Sequence, residues 1–200
     1  MNIDEAKTLL NTKGITFEEK DYATQREYWE HCSEFWHFEY ASTKPDSMRK
    51  VLVIPCANGK KDIELKFKQE NGEFILVDLL FGSFAFEIVE IPAKGKTIEE
   101  DLEEHISDLL ENKYAVLTVN RVGHGVIADS CRPNPGKEEK AKLIEAYGRA
   151  YGFLGKLLKR KYIVELYDRD FYETVGFNEL DRAKKTEAVR KWWDCYYKGE

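Results

Sequence analysis

The sequence predicts an α+β domain: an antiparallel meander, extended by a second hairpin, with helices packed on one face and helical segments at both ends. Three observations lead there. Between Lys50 and Ile91 the apolar spacing is extended, in four runs parted by Asn58-Gly59, Asn71-Gly72 and Gly82-Ser83, which supply the positive φ that tight hairpin turns need. The runs follow one another directly and do not alternate with helices, which argues against a doubly wound parallel sheet. Helical spacing frames them on both sides, in a chain of 200 residues that is 42% hydrophobic and 13% aromatic, enough to bury one core.

The first forty residues read as helical. Ile3, Ala6, Leu9 and Leu10 share a face, and Lys13-Gly14 is a C-cap signal. A second helix is expected from Tyr22 to about Ala41, with Tyr28, Trp29, Cys32, Phe35 and Trp36 at spacings of three and four, ending before Pro45. The strands that follow are Lys50 to Pro55, Asp62 to Lys68, Phe74 to Phe81 and Phe84 to Ile91. Phe74 to Phe81 is apolar at nearly every position, so this third strand is expected at the centre of the sheet.

Thr97-Ile98-Glu99-Glu100 is a capping box, and Ile98, Leu102, Ile106, Leu109 and Leu110 form the stripe of the helix it starts, which Asn112 stops. Tyr114 to Asn120 and Val126 to Ala128 read as the second hairpin, hinged at Gly123-His124-Gly125. After the break at Arg132-Pro133-Asn134-Pro135-Gly136 comes a long helix, from about Lys137 to Lys159. Its Gly148, Gly152 and Gly155 each cost about 1 kcal/mol of helix propensity, which close packing against another element would offset. Tyr162 to Tyr167 reads as a last strand, Asp168-Arg169-Asp170 as a turn, and Asn178 to Tyr197 as a terminal helix. The order is ααββββαββαβα. One domain over 1–200 results, with a helical segment over 1–45, a sheet with two helices over 46–168 and a C-terminal helix over 169–200.

Charge and cysteine usage narrow the function classes. Lys and Arg number 31 against 37 Asp and Glu, a net charge of −6, which disfavours nucleic acid and favours a basic protein partner. No apolar run approaches the roughly 18 residues of a membrane span. No membrane partner is expected, and the acidic N-terminus lacks signal-peptide features, so a cytoplasmic location is expected. Cys32, Cys56, Cys131 and Cys195 form no CxxC pair, consistent with reduced thiols. No cofactor motif is present. His31 and His37 flank Cys32, but residues six apart on a helix point about 120° away from register, so no metal site is expected there.

Two sets of residues could carry function. Glu99, Glu100, Glu103 and Glu104 form an acidic ridge that could steer a basic surface, and Trp192 and Trp193, in an aromatic C-terminal segment, could anchor a partner or a second copy of the chain. The resulting expectation is a small acidic protein-binding module, such as a toxin-neutralising immunity protein or another inhibitor of a basic partner. The alternative is a cysteine-dependent hydrolase or transferase using Cys131 as thiolate and His124 as base, with Cys56 and His105 as a second pair. Against both thiols stands their reading as small buried side chains, since no helix N-terminus or Gly-rich oxyanion loop follows either.

Overall fold

The computed structural model describes residues 1–22, 49–86, 93–121 and 125–176. These carry an α+β fold of three helices and two antiparallel sheets. Helix α1 (Ile3–Thr12) starts at Asn2, whose side chain accepts from the amides of Asp4 and Glu5 while the Glu5 carboxylate accepts from the Asn2 amide. It ends where Gly14 takes φ +68° and the Ile15 amide donates back to the Leu10 carbonyl at 2.9 Å.

Here the expectation of forty helical residues fails. Glu18–Tyr22 is a strand, β1, pairing antiparallel with β2 (Arg49–Ile54). Its five residues show little β-propensity, so the ladder to a strand about thirty residues away, with Glu19 paired to Lys7 and Lys50, decides its conformation. The rest of the expected second helix, with His31, Cys32 and His37, lies outside the described residues.

The first sheet continues as β3 (Ile63–Glu70), β4 (Glu73–Phe81) and β5 (Phe84–Phe86), in the order β1-β2-β3-β4-β5. Asn71 and Gly72, at φ 52° and 89°, make the β3–β4 turn. The apolar strand β4 lies inside the sheet, but β3 takes its centre, because β1 adds a strand on the far edge. Ile63, Leu65 and Phe67 of β3 are fully buried and alternate with polar residues.

The second hairpin, β6 (Tyr114–Arg121) and β7 (Gly125–Pro133), does not extend that sheet. It builds a second one, ordered β7-β6-β8-β9, with β8 (Tyr162–Tyr167) and β9 (Tyr172–Val175). The physical reason is that β6 and β8 are buried on both faces. One face sends Val116 and Tyr167 into a cluster shared with the first sheet, α1 and α2 (Ile98–Leu110). The other sends Ala115, Leu117, Val119, Val164 and Leu166 against Ile144 of α3 (Lys137–Leu158). The helices therefore do not share one face, since α2 and α3 contact opposite faces of the second sheet.

Two of the three α3 glycines are explained by close approach. A Cβ on Gly148 would stand 2.7 Å from Val175 Cγ1, and one on Gly155 would stand 2.6 Å from the Arg160 carbonyl oxygen, whereas Gly152 faces open space. The approaching strand, β9, is an element the sequence reading omits. No described helix is long and apolar enough to cross a membrane. The expected helix over Asn178 to Tyr197 lies outside the described residues.

Candidate functional site

Helix α2 is built as its capping box dictates. Thr97 Oγ1 accepts from the Glu100 amide, and the Glu100 carboxylate accepts from the Thr97 amide at 2.8 Å, which holds that carboxyl below its ordinary range. The helix carries six acidic residues and no Lys or Arg. They are not equivalent. Asp101 is 2% exposed and accepts from the Ala93 amide at 3.0 Å, with His105 Nδ1 3.6 Å and Lys96 Nζ 3.8 Å from its second oxygen. It fastens the incoming chain and is unavailable to a partner.

Of the four ridge acids, Glu99, Glu100 and Glu104 are exposed and Glu103 is half-buried. Glu103 pairs with Lys13, which caps the end of α1, and Glu104 with Lys96. Such surface pairs are screened by solvent and exchange readily for an incoming cation. At the helix C-terminus Glu111 pairs with Lys113 and accepts from Ser107, and both interactions hold its carboxyl down.

Between α1 and α2 lies a groove of about 250 Å³. Leu9, Leu10, Ile15, Ile106 and Leu110 supply its apolar wall, and Lys13, Glu103, Ser107 and Glu111 complete the lining. The groove exists because α1 ends at Gly14 and turns Ile15 back beside Leu10, leaving the last turns of both helices incompletely filled. Sequence reasoning found the acids and missed the groove, whose only trace in the sequence is that Leu9 and Leu110 exceed what each helix buries beneath itself.

The cysteines take another form. Cys131 sits on β7 opposite Val116, packed against the main core cluster, and burial pushes its thiol up to about 11. It stands six residues along an extended strand from Gly125, a span of about 20 Å. His124 lies outside the described residues, as do Trp192 and Trp193 and therefore the proposed aromatic anchor. Cys56 is buried in the same core, its thiol pushed up to about 12 by burial. Neither sulfur has the electropositive, exposed surroundings that produce a thiolate near neutral pH.

A buried polar cluster that the sequence did not announce lies between the sheets. Glu165 of β8 is 3.3 Å from Lys61 Nζ and accepts from Tyr172 Oη at 2.7 Å, Asn120 Nδ2 at 3.0 Å and Thr118 Oγ1 at 3.3 Å. Lys61, 4% exposed, also lies over the rings of Tyr167 and Tyr172. Asn58, read from sequence only as a turn former, donates to the Asp168 carbonyl at 2.7 Å and so ties the β2–β3 turn to the second sheet. Lys140 of α3 meets the fully buried Asp168. Lys61 and Asn58 thus tie the first sheet to the second, while Lys140 and Asp168 fasten α3 to the turn after β8.

Among the described residues, no cluster of three or more His, Cys, Asp or Glu side chains could hold a metal ion. The chain matches no protein-family model, no curated protein and no solved structure.

Proposed function

We propose that this protein is a small acidic protein-binding module whose docking element is α2, and that it engages a basic partner as a toxin-neutralising immunity protein or another inhibitor does. The observation that carries the reading is the apolar groove set directly beside the acidic face of that helix. The two features supply different parts of binding. The acids of α2, which carries no Lys or Arg of its own, raise the encounter rate with a basic surface and reject acidic ones, Glu99 and Glu100 leading and Glu103 and Glu104 exchanging their present lysines. The groove then offers a water-excluded seat for one apolar anchor side chain, which is where interface energy concentrates. A cation beside that anchor would replace Lys13 on Glu103 without leaving a buried charge unpaired.

Capture of the tagged protein's partners from lysate of its native cell, at low and high salt, tests the reading. A basic protein retained in stoichiometric amount at low salt and released at high salt supports it. Retention of only acidic proteins, or of none at either salt, defeats it.

A further inference from the structure

The C-terminal half of α3 has a composition opposite to that of α2. From Ala146 to Lys161 the chain carries Arg149, Lys156, Lys159, Arg160 and Lys161 and no acidic residue, within a protein of net charge −6. Tyr147, Tyr151 and Leu154 turn inward onto the second sheet. The outward face carries Arg149, Phe153, Lys156 and Leu157, at helical spacings of three and four, and Lys159 and Arg160 follow directly on the helix end. Phe153 is 71% and Leu157 67% exposed, and Leu158 beside them is 45% exposed. Large side chains this open, one helical turn apart and bordered only by cations, are not what a solvated face requires.

We infer that this stripe is a docking surface for an anionic lipid bilayer, on which α3 lies along the interface with Phe153 and Leu157 inserted among the headgroups and the cations on lipid phosphates and carboxylates. Charge complementarity requires an anionic occupant. The side-chain types select a lipid surface over a protein, because protein interfaces are depleted in Lys and their hot spots in Leu, whereas a Lys/Arg-rich helix with protruding Phe and Leu is the form that settles at a membrane interface. Lys156, Lys159 and Arg160 take part in no ion pair among the described residues, whereas Arg149 pairs with Glu145 one turn back. Gly152, open to space beside Phe153, keeps the ridge narrow. Because α3 and α2 contact opposite faces of the second sheet, the bilayer and a partner on α2 would not compete for the same surface. The expectation of no membrane partner is then narrowed to no membrane crossing.

Co-sedimentation with phosphatidylcholine vesicles, with and without phosphatidylserine, tests this. Each cation near such a surface is worth about a fivefold factor in binding, so K156Q/K159Q/R160Q should weaken binding to the phosphatidylserine vesicles about 100-fold. F153S/L157S alters exposed positions only, should leave circular dichroism and thermal unfolding unchanged, and should also lose vesicle binding. Three results would overturn the proposal: no binding to phosphatidylserine vesicles at low salt, binding that F153S/L157S leaves intact, or a concentration-dependent self-association that F153S/L157S abolishes in a protein that binds no vesicle.

Discussion

Replacing Lys61 by Met should destabilise the fold by about 3–5 kcal/mol, the cost of leaving one member of a buried ion pair alone. The magnitude follows from the geometry. Lys61 Nζ lies 3.3 Å from Glu165, and at an effective dielectric of about 20 that separation corresponds to an attraction of about 5 kcal/mol. Glu165 would keep the neutral donors Tyr172, Asn120 and Thr118, which soften the loss, while the cation over the rings of Tyr167 and Tyr172 would be lost as well. For a chain of 200 residues the cost lowers the melting temperature by about 6–20 °C. Glu165→Gln should cost a similar amount, because it removes the carboxylate that faces the buried ammonium. The double variant, with neither charge of the pair remaining, should cost less than the sum by about 2–3 kcal/mol. Urea unfolding of the four proteins completes the cycle, with an unchanged slope showing that only stability has moved. A Lys61→Met cost below about 1 kcal/mol, or additive singles, would mean that the pair is solvated and would refute its role as the tie between the sheets.

Two further outcomes are expected. With its thiol at about 11, Cys131 should react with iodoacetamide at pH 7 about 300-fold more slowly than an ordinary thiol of pKa about 8.5, and faster as pH rises and the thiolate fraction grows. Peptide mapping reads this directly, and fast labelling at pH 7 would restore the thiol-enzyme reading. Gly82→Ala should cost about 2–4 kcal/mol, combining left-handed backbone at φ +58° with a Cβ placed 2.8 Å from Tyr167 Oη, whereas Gly59→Ala, at φ +64° in open space, should cost about 1–2 kcal/mol. Equal melting temperatures for the two variants would deny that Tyr167 is wedged under the turn by its bonds to the Ser83 amide and the Phe81 carbonyl.

Local signals were legible in the sequence where local physics decides the structure. Thr97 with Glu100 fixes the start of α2, Asn71-Gly72 fixes a hairpin, and the stripe from Leu143 to Leu158 fixes α3. Failures occur where a distant partner decides. Glu18–Tyr22 is a strand because β2 pairs with it, and β6 opens a second sheet because both of its faces are covered, one by apolar groups of α3 and the other by the first sheet's core and the polar cluster around Glu165. The same division holds at the candidate site. The acids of α2 are visible as composition, but the burial of Asp101 and the groove beside Ile15 depend on how α1, α2 and the chain around Ala93 meet. Lys61 and Glu165 are 104 residues apart and carry no mutual signal in a single sequence. Phe153 and Leu157 lie off the inward positions Tyr147, Tyr151 and Leu154, and only the fold shows how far they stand exposed.

In the proposed function α2 steers a basic partner onto its groove. The measurement that tests it most directly is the association rate of the captured partner as a function of ionic strength, for the native protein and for E99Q/E100Q/E103Q/E104Q. Gln retains the capping bond at position 100, so the helix should stand and the variant should melt within about 1 kcal/mol of the parent. The account predicts an association rate lowered on the order of tenfold or more at low salt, with a flattened salt dependence and a smaller change in dissociation. An association rate and salt slope identical to those of the native protein would contradict it.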